Sequence, residues 1–139
     1  MYQLKTHASF DSAHFLAGYN GKCSNLHGHR WKIEVTLKSS QLVNEGQTRG
    51  MIVDFGELKN AVKSVADDHD HSLIIETGSL KDKTMEALKE ENFKIIQVPF
   101  RPTAENFAKY FYDLIKEKGY DVKFVEVYEI PNNCAGYGE

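Results

Sequence analysis

The sequence predicts an α+β domain, with an antiparallel sheet carrying helices on one face. Three observations predict it. Two long alternating runs open the chain, two capped stretches of helical periodicity occupy the middle and later parts, and a last alternating run follows near the end. The 139 residues are enough for one ordinary domain, expected over 1–139. Hydrophobic content of 41% and charged content of 27% are those of a soluble globular chain.

The elements follow in order. Tyr2, Leu4, Thr6, Ala8 and Phe10 alternate with Gln3, Lys5, His7 and Ser9, which is a strand with one wet side. His7 falls on the wet side and reads as an ordinary surface histidine. Gly18 to Leu26, rich in Gly, Asn and Ser, is a loop. A second strand from His27 to Lys38 puts Trp31, Ile33, Val35 and Leu37 on one face, pairing with the first as a long hairpin. Residues 39–50 are polar and turn-like.

Asp54-Phe55-Gly56-Glu57 has the N-cap and N3 glutamate of a capping box, opening a helix that carries Leu58, Val62 and Val65 and ends near Ala66. Residues 76–92 read as a loop with room for a short helix, and Lys94–Val98 as a short strand. Thr103 is an N-cap for a second helix with the stripe Phe107, Tyr110 or Phe111, Leu114 and Ile115, stopped by Gly119. A last strand covers about Val122 to Ile130.

Charge and composition exclude several functions. The net charge is −3, the pI about 6.1, and no basic cluster exists, which argues against a nucleic-acid partner. No apolar run reaches membrane-spanning length. Met1 to Thr6 alternates like a strand where a signal peptide would have an apolar core, so the expected location is cytoplasmic. Cys23 and Cys134 are then expected to be free thiols. Cys134 gets no role.

The chemistry gathers in Cys23-Ser24-Asn25-Leu26-His27-Gly28-His29, read with Phe10-Asp11-Ser12-Ala13-His14. On a strand, residues two apart share a face, so the imidazoles of His27 and His29 converge. His14 can supply a third nitrogen. Three neutral imidazoles suit a catalytic zinc ion, with a coordination position left open. Cys23 either closes a structural site of one cysteine and three histidines or stands beside an open site as a reactive thiol. Spacing leaves both alternatives standing, and with them a zinc-dependent hydrolase and a purely structural zinc module.

Two further stretches carry candidates. Asp68-His69-Asp70-His71 is either a solvated helix end or an aspartate orienting a histidine for acid–base work, with the 68–69 and 70–71 pairs both open. Glu129 shares a strand face with Val125 and Val127. In a pocket it must be paired, and an aminopyrimidinone ring offers two parallel N–H donors to one carboxylate. Glu105 has a simpler role as a first-turn charge on a helix dipole.

Ser12-Ala13-His14, Cys23-x-x-x-His27-Gly28-His29, Asp54-Phe55-Gly56, Asp70-His71, Pro102-Thr103-Ala104-Glu105-Asn106 and Val127-Tyr128-Glu129 together, in order and nearly end to end, resemble the 6-pyruvoyltetrahydropterin synthase family. Within it the likeness is closest to the bacterial 6-carboxy-5,6,7,8-tetrahydropterin synthases of queuosine biosynthesis. The resemblance implies a tunnelling (T) fold: a four-stranded antiparallel sheet with two helices on one face. Three subunits would close a β-barrel and two trimers would stack as a homohexamer.

The resemblance also implies zinc on His14, His27 and His29, Cys23 as the proton-abstracting thiolate, and an Asp–His proton relay. The family places a hydrophobic residue three positions after the relay histidine; Ile74 fills that place for Asp70-His71, whereas Ser72 would fill it for Asp68-His69. Glu129 would hold a small-molecule pterin and Thr103 would contact its edge, largely through backbone. The implied reaction turns 7,8-dihydroneopterin triphosphate into 6-carboxy-5,6,7,8-tetrahydropterin, acetaldehyde and triphosphate. The biopterin branch, which stops at 6-pyruvoyltetrahydropterin, shares the cysteine and is the alternative. A third branch carries a glutamate before the HGH where this chain has Cys23 and Ser24, and is disfavoured. Lys22, Arg30 and Arg101 are the candidate triphosphate contacts.

Overall fold

A computed structural model describes residues 1–139. Strands β1 (Tyr2–His14) and β2 (His27–Ser39) form the predicted hairpin, paired without interruption from Tyr2↔Ser39 to His14↔His27. Helix α1 (Phe55–His69) begins where expected, because Asp54 Oδ1 accepts the amides of Gly56 and Glu57 at 2.8 and 3.2 Å. Strand β3 (Ser72–Glu76), helix α2 (Asp82–Glu90) and strand β4 (Ile95–Val98) follow. Helix α3 (Ala104–Glu117) has Thr103 as its cap and ends at Gly119, whose φ of +99° suits glycine at a helix stop. Strands β5 (Val122–Ile130) and β6 (Asn133–Tyr137) close the chain.

The sheet has six strands, in the order β4-β3-β1-β2-β5-β6, where four were expected. It is mixed: β2 pairs antiparallel with β1 and β5, and β5 with β6, but β3 runs parallel to β1 and to β4. Two strands were missed for different reasons. Strand β3 is only five residues long, its apolar run is just Leu73-Ile74-Ile75, and it meets β1 at Ser12 and Ala13 alone. In β6 the small polar composition hides the strand. Gly136 belongs there because a Cβ at that position would lie 2.3 Å from the Phe124 ring. Besides the two packed helices, the short α2 lies in the stretch 76–92 where the sequence left room for one, and it buries no residue.

One core forms under one face of the sheet. Phe10, Trp31, Ile33, Val35 and Val125 meet Leu58, Val62 and Val65 of α1 and Phe107, Phe111 and Ile115 of α3. Burying a large apolar side chain contributes roughly 1.5–3 kcal/mol, so this layer fixes the sheet against the helices. Helix α1 runs one turn past its expected end because His69 is itself buried in that layer. No helix is long and apolar enough to cross a membrane.

Candidate metal centre and active site

Alternation along β1 and β2 sends Phe10, Ser12 and His14 to the core face, together with Trp31, His29 and His27 of the opposite strand. The three imidazoles meet at the open end of the hairpin, with ring centroids 4.5 to 5.3 Å apart and the Trp31 ring beneath His14 and His29. His14 is only 2% exposed. Its Nδ1–H donates to the carbonyl of Pro102 at 2.8 Å, and that of His27 to the carbonyl of Asn25 at 2.6 Å. Those bonds direct the Nε2 lone pairs inward. All three Nε2 atoms are buried without a hydrogen-bond partner.

Buried, unsatisfied nitrogens cost stability unless something binds them. Burial holds His14 and His29 below the ordinary imidazole pKa, opposed by the Pro102 carbonyl at His14 and by the Glu129 carboxylate at His29, so both stay neutral and free to coordinate. Glu129 Oε1 lies 2.9 Å from His29 Nε2 and 3.4 Å from His14 Nε2, and the four donors sit within 4.8 Å of one another. Neutral imidazoles make these approaches something other than ion pairs at neutral pH. Three nitrogens and a carboxylate oxygen converging this way fit a divalent metal ion.

Cys23 sits in a 3-10 turn, Lys22–Ser24, whose backbone is tied down by the Leu16 amide donating to the Cys23 carbonyl at 2.9 Å. Its thiol is free and lines a cavity of about 720 Å³ together with His27, His29 and Glu129. The sulfur lies outside the four-donor group. Cys134 is also free and lies exposed on β6.

The acidic cluster divides. His69 turns into the core, its Nδ1–H donating to Val65 O at 2.7 Å and its Nε2 accepting from the Tyr110 hydroxyl at 2.8 Å. Asp70 and His71 form the hydrogen-bonded pair: His71 Nδ1–H donates to Asp70 Oδ2 at 2.8 Å. Asp70 Oδ1 accepts the Asp11 amide at 2.8 Å, and the Asp11 carbonyl accepts the His71 amide at 2.7 Å. The Asp11 amide, then His71, hold the Asp70 carboxyl below its ordinary pKa. His71 has φ +52°, an uncommon conformation outside glycine that those bonds sustain.

Sequence reasoning missed the backbone carbonyls of Pro102 and Asn25, which have no side-chain signature. It also missed the role of Asp11, whose carboxylate takes a two-point contact from Arg30 at 2.9 and 3.0 Å. Asp11 and Arg30 stand on the sheet face opposite the imidazoles, and the Asp70–His71 pair lies beside them. Thr103 Oγ1 is occupied as the helix cap, accepting the Asn106 amide at 3.2 Å. Beside it, a recess of about 320 Å³ is bounded by Ala104, Glu105 and Glu129.

The family model for 6-pyruvoyl tetrahydropterin synthase matches residues 3–139. A Haemophilus influenzae protein named 6-carboxy-5,6,7,8-tetrahydropterin synthase is 35% identical over the full length of both chains. One of the same name from Aquifex aeolicus is 42% identical over 102 residues, 70% of this chain and 59% of that one. Among solved structures, Caenorhabditis elegans 6-pyruvoyl tetrahydropterin synthase superposes with a TM-score of 0.69 at 25% identity, covering 99% of this chain and 95% of that one. The T fold expected from the sequence is thus the fold observed, with a wider sheet.

Proposed function

Since the chain belongs to the 6-pyruvoyl tetrahydropterin synthase family, we propose that it is a zinc-dependent lyase of the 6-carboxytetrahydropterin synthase type. It would convert 7,8-dihydroneopterin triphosphate to 6-carboxy-5,6,7,8-tetrahydropterin, acetaldehyde and triphosphate, in queuosine (7-deazapurine) biosynthesis. The observation that carries this reading is the three converging, unsatisfied Nε2 atoms in a cavity whose wall holds a free thiol.

His14, His27 and His29 hold the ion, which when bound supplies a Lewis acid for the hydroxyls of the substrate side chain. Cys23 takes the side-chain proton as a thiolate. Glu129 accepts two N–H donors of the pterin ring, whose place is the recess at the first turn of α3, beside Thr103. Asp70 fixes the Nδ1–H tautomer of His71, so the other ring nitrogen is free to relay protons.

The relay pair and the metal ligands stand on opposite faces of one ladder, which favours a relay that serves the metal of a neighbouring subunit. The edge of β1 before Ser12 and the outer edge of β6 have no pairing strand in the chain. Unpaired edges of this kind invite strand pairing between copies, in keeping with a barrel of three subunits and a hexamer of two barrels.

The 2.9 Å approach of Glu129 to His29 favours a second reading, a closed three-histidine, one-carboxylate centre with a structural metal. Incubation of zinc-loaded protein with 7,8-dihydroneopterin triphosphate separates the readings by product mass. Acetaldehyde with 6-carboxytetrahydropterin is expected; 6-pyruvoyltetrahydropterin selects the biopterin branch, and no consumption leaves the closed centre.

A further inference from the structure

Lys22 lies in the wall of the cavity beside the three imidazoles, one residue before Cys23, the candidate base. Three other cations near the site are already engaged. Arg30 is held by Asp11 on the opposite sheet face, Arg101 Nη2 donates to the Ala17 carbonyl at 2.6 Å, and Lys94 Nζ donates to the carbonyls of Asp70 and Asp67 at 2.9 and 3.3 Å. The chain's lysine and arginine ion pairs and its lysine side-chain hydrogen bonds do not involve the Lys22 ammonium. Its backbone, by contrast, is well fixed. The Lys22 carbonyl accepts both the amide of Asn25, at 3.0 Å, and its side-chain Nδ2, at 3.1 Å. The Asn25 carbonyl in turn accepts from His27. The base of this cation is therefore tied, through one residue, to a metal ligand.

We infer that Lys22 binds the phosphate chain of a phosphorylated substrate whose hydroxyl-bearing carbons lie at the metal, and so selects the triphosphate ester over the free alcohol. The inference rests on the pterin reading above, which supplies the ligand. Among the side chains of this wall Glu129 is the one acid and Lys22 the one lysine or arginine, so Lys22 is the side chain placed to attract a polyanion. Lysine also suits a group that must leave. Its compact charge attracts phosphate without the two-point fork by which arginine would retain the product.

The test compares neopterin triphosphate with neopterin, whose oxidised ring does not turn over, binding to the zinc-loaded full chain by pterin fluorescence. Lys22→Ala is expected to lower affinity for the triphosphate about tenfold while leaving neopterin unchanged, and Lys22→Arg to retain most of the preference. Added salt should erode the wild-type preference more than that of Lys22→Ala. An unchanged ratio of the two affinities in Lys22→Ala overturns the inference, as does equal weakening of both ligands, which would make Lys22 a loop-shaping residue. Failure of wild-type protein to bind either pterin removes the substrate reading itself and the inference with it. A preference for triphosphate that survives in Lys22→Ala leaves the substrate reading standing and rejects Lys22 alone.

Discussion

The two faces of the β1–β2 ladder carry two kinds of site. On the core face, His14, His27 and His29 grow from regular strands above Trp31, partly or fully buried, with two of them oriented by backbone carbonyls. On the other face, Asp70 and His71 occupy the link between a helix and a short strand. His71 is 80% exposed in its side chain and held to β1 only through the backbone of Asp11. One site is built into the sheet and the other is attached to it. A metal grip needs fixed convergence of several donors, whereas a proton relay needs one oriented imidazole within reach of whatever arrives.

The sharpest way to break that comparison is to damage each face separately. Cys23→Ala and His71→Ala should each lower kcat by about 10²–10⁴-fold while zinc stays bound at one ion per chain, measured by mass spectrometry of the metal. Co-expression of the two variants then discriminates. If the relay of one subunit serves the metal of its neighbour, mixed oligomers regain activity at about a quarter of their sites, because each site draws its cysteine and its relay from different chains. If both halves serve one chain, every site carries a lesion and the mixture stays inactive.

How much of this was legible follows the same division. His27-Gly28-His29 declares itself, because period-two alternation alone puts both rings on one side, and Phe10 to His14 repeats the pattern. The long strands and the two packed helices declare themselves likewise through periodicity and caps. The relay does not. Asp70 finds its partner 59 residues away in a backbone amide, and no side-chain pattern encodes that. For β3 and β6 the deciding information is long-range as well: β3 exists by lying along β1, and β6 by fitting Gly136 under Phe124.

His69 and His71 sharpen the comparison at the level of single residues, since neighbours in sequence sit in opposite surroundings. Burial holds His69 below the ordinary imidazole value of 6.5, partly offset by its bond to Val65. As pH falls, the unfolded chain takes up the proton first. The contribution of neutral His69 to stability is therefore complete above about pH 6.5 and is lost progressively below it, until the folded protein protonates as well. Each unit of depression is worth about 1.4 kcal/mol over that window. His14 and His29 act in the same direction in metal-free protein, and a metal lost on unfolding frees imidazoles to take up protons, so wild type and variant are compared by urea unfolding at the same metal loading. His69→Leu should flatten the decline between neutral pH and pH 5. A decline as steep as in wild type would show that the loss originates elsewhere.

The smallest effect is expected at Thr103, which belongs to neither face yet adjoins both the recess at the start of α3 and, through Pro102, the imidazole cluster. Its hydroxyl is committed to the Asn106 amide, and the residue before it supplies the carbonyl that orients His14. Thr103→Ala should therefore cost roughly 0.5–2 kcal/mol of stability through the lost cap, read as a lower urea midpoint. The cap also steadies Pro102. Zinc affinity should accordingly fall, by less than about tenfold, since the orienting carbonyl is displaced and not removed. Thr103→Ser keeps the capping oxygen and should restore both quantities. If the side chain instead touches the pterin, KM rises in Thr103→Ala with the metal affinity unmoved. The recess beside α3 would then read the substrate through a side chain, and the helix start would be part of the binding site as well as a support for the metal.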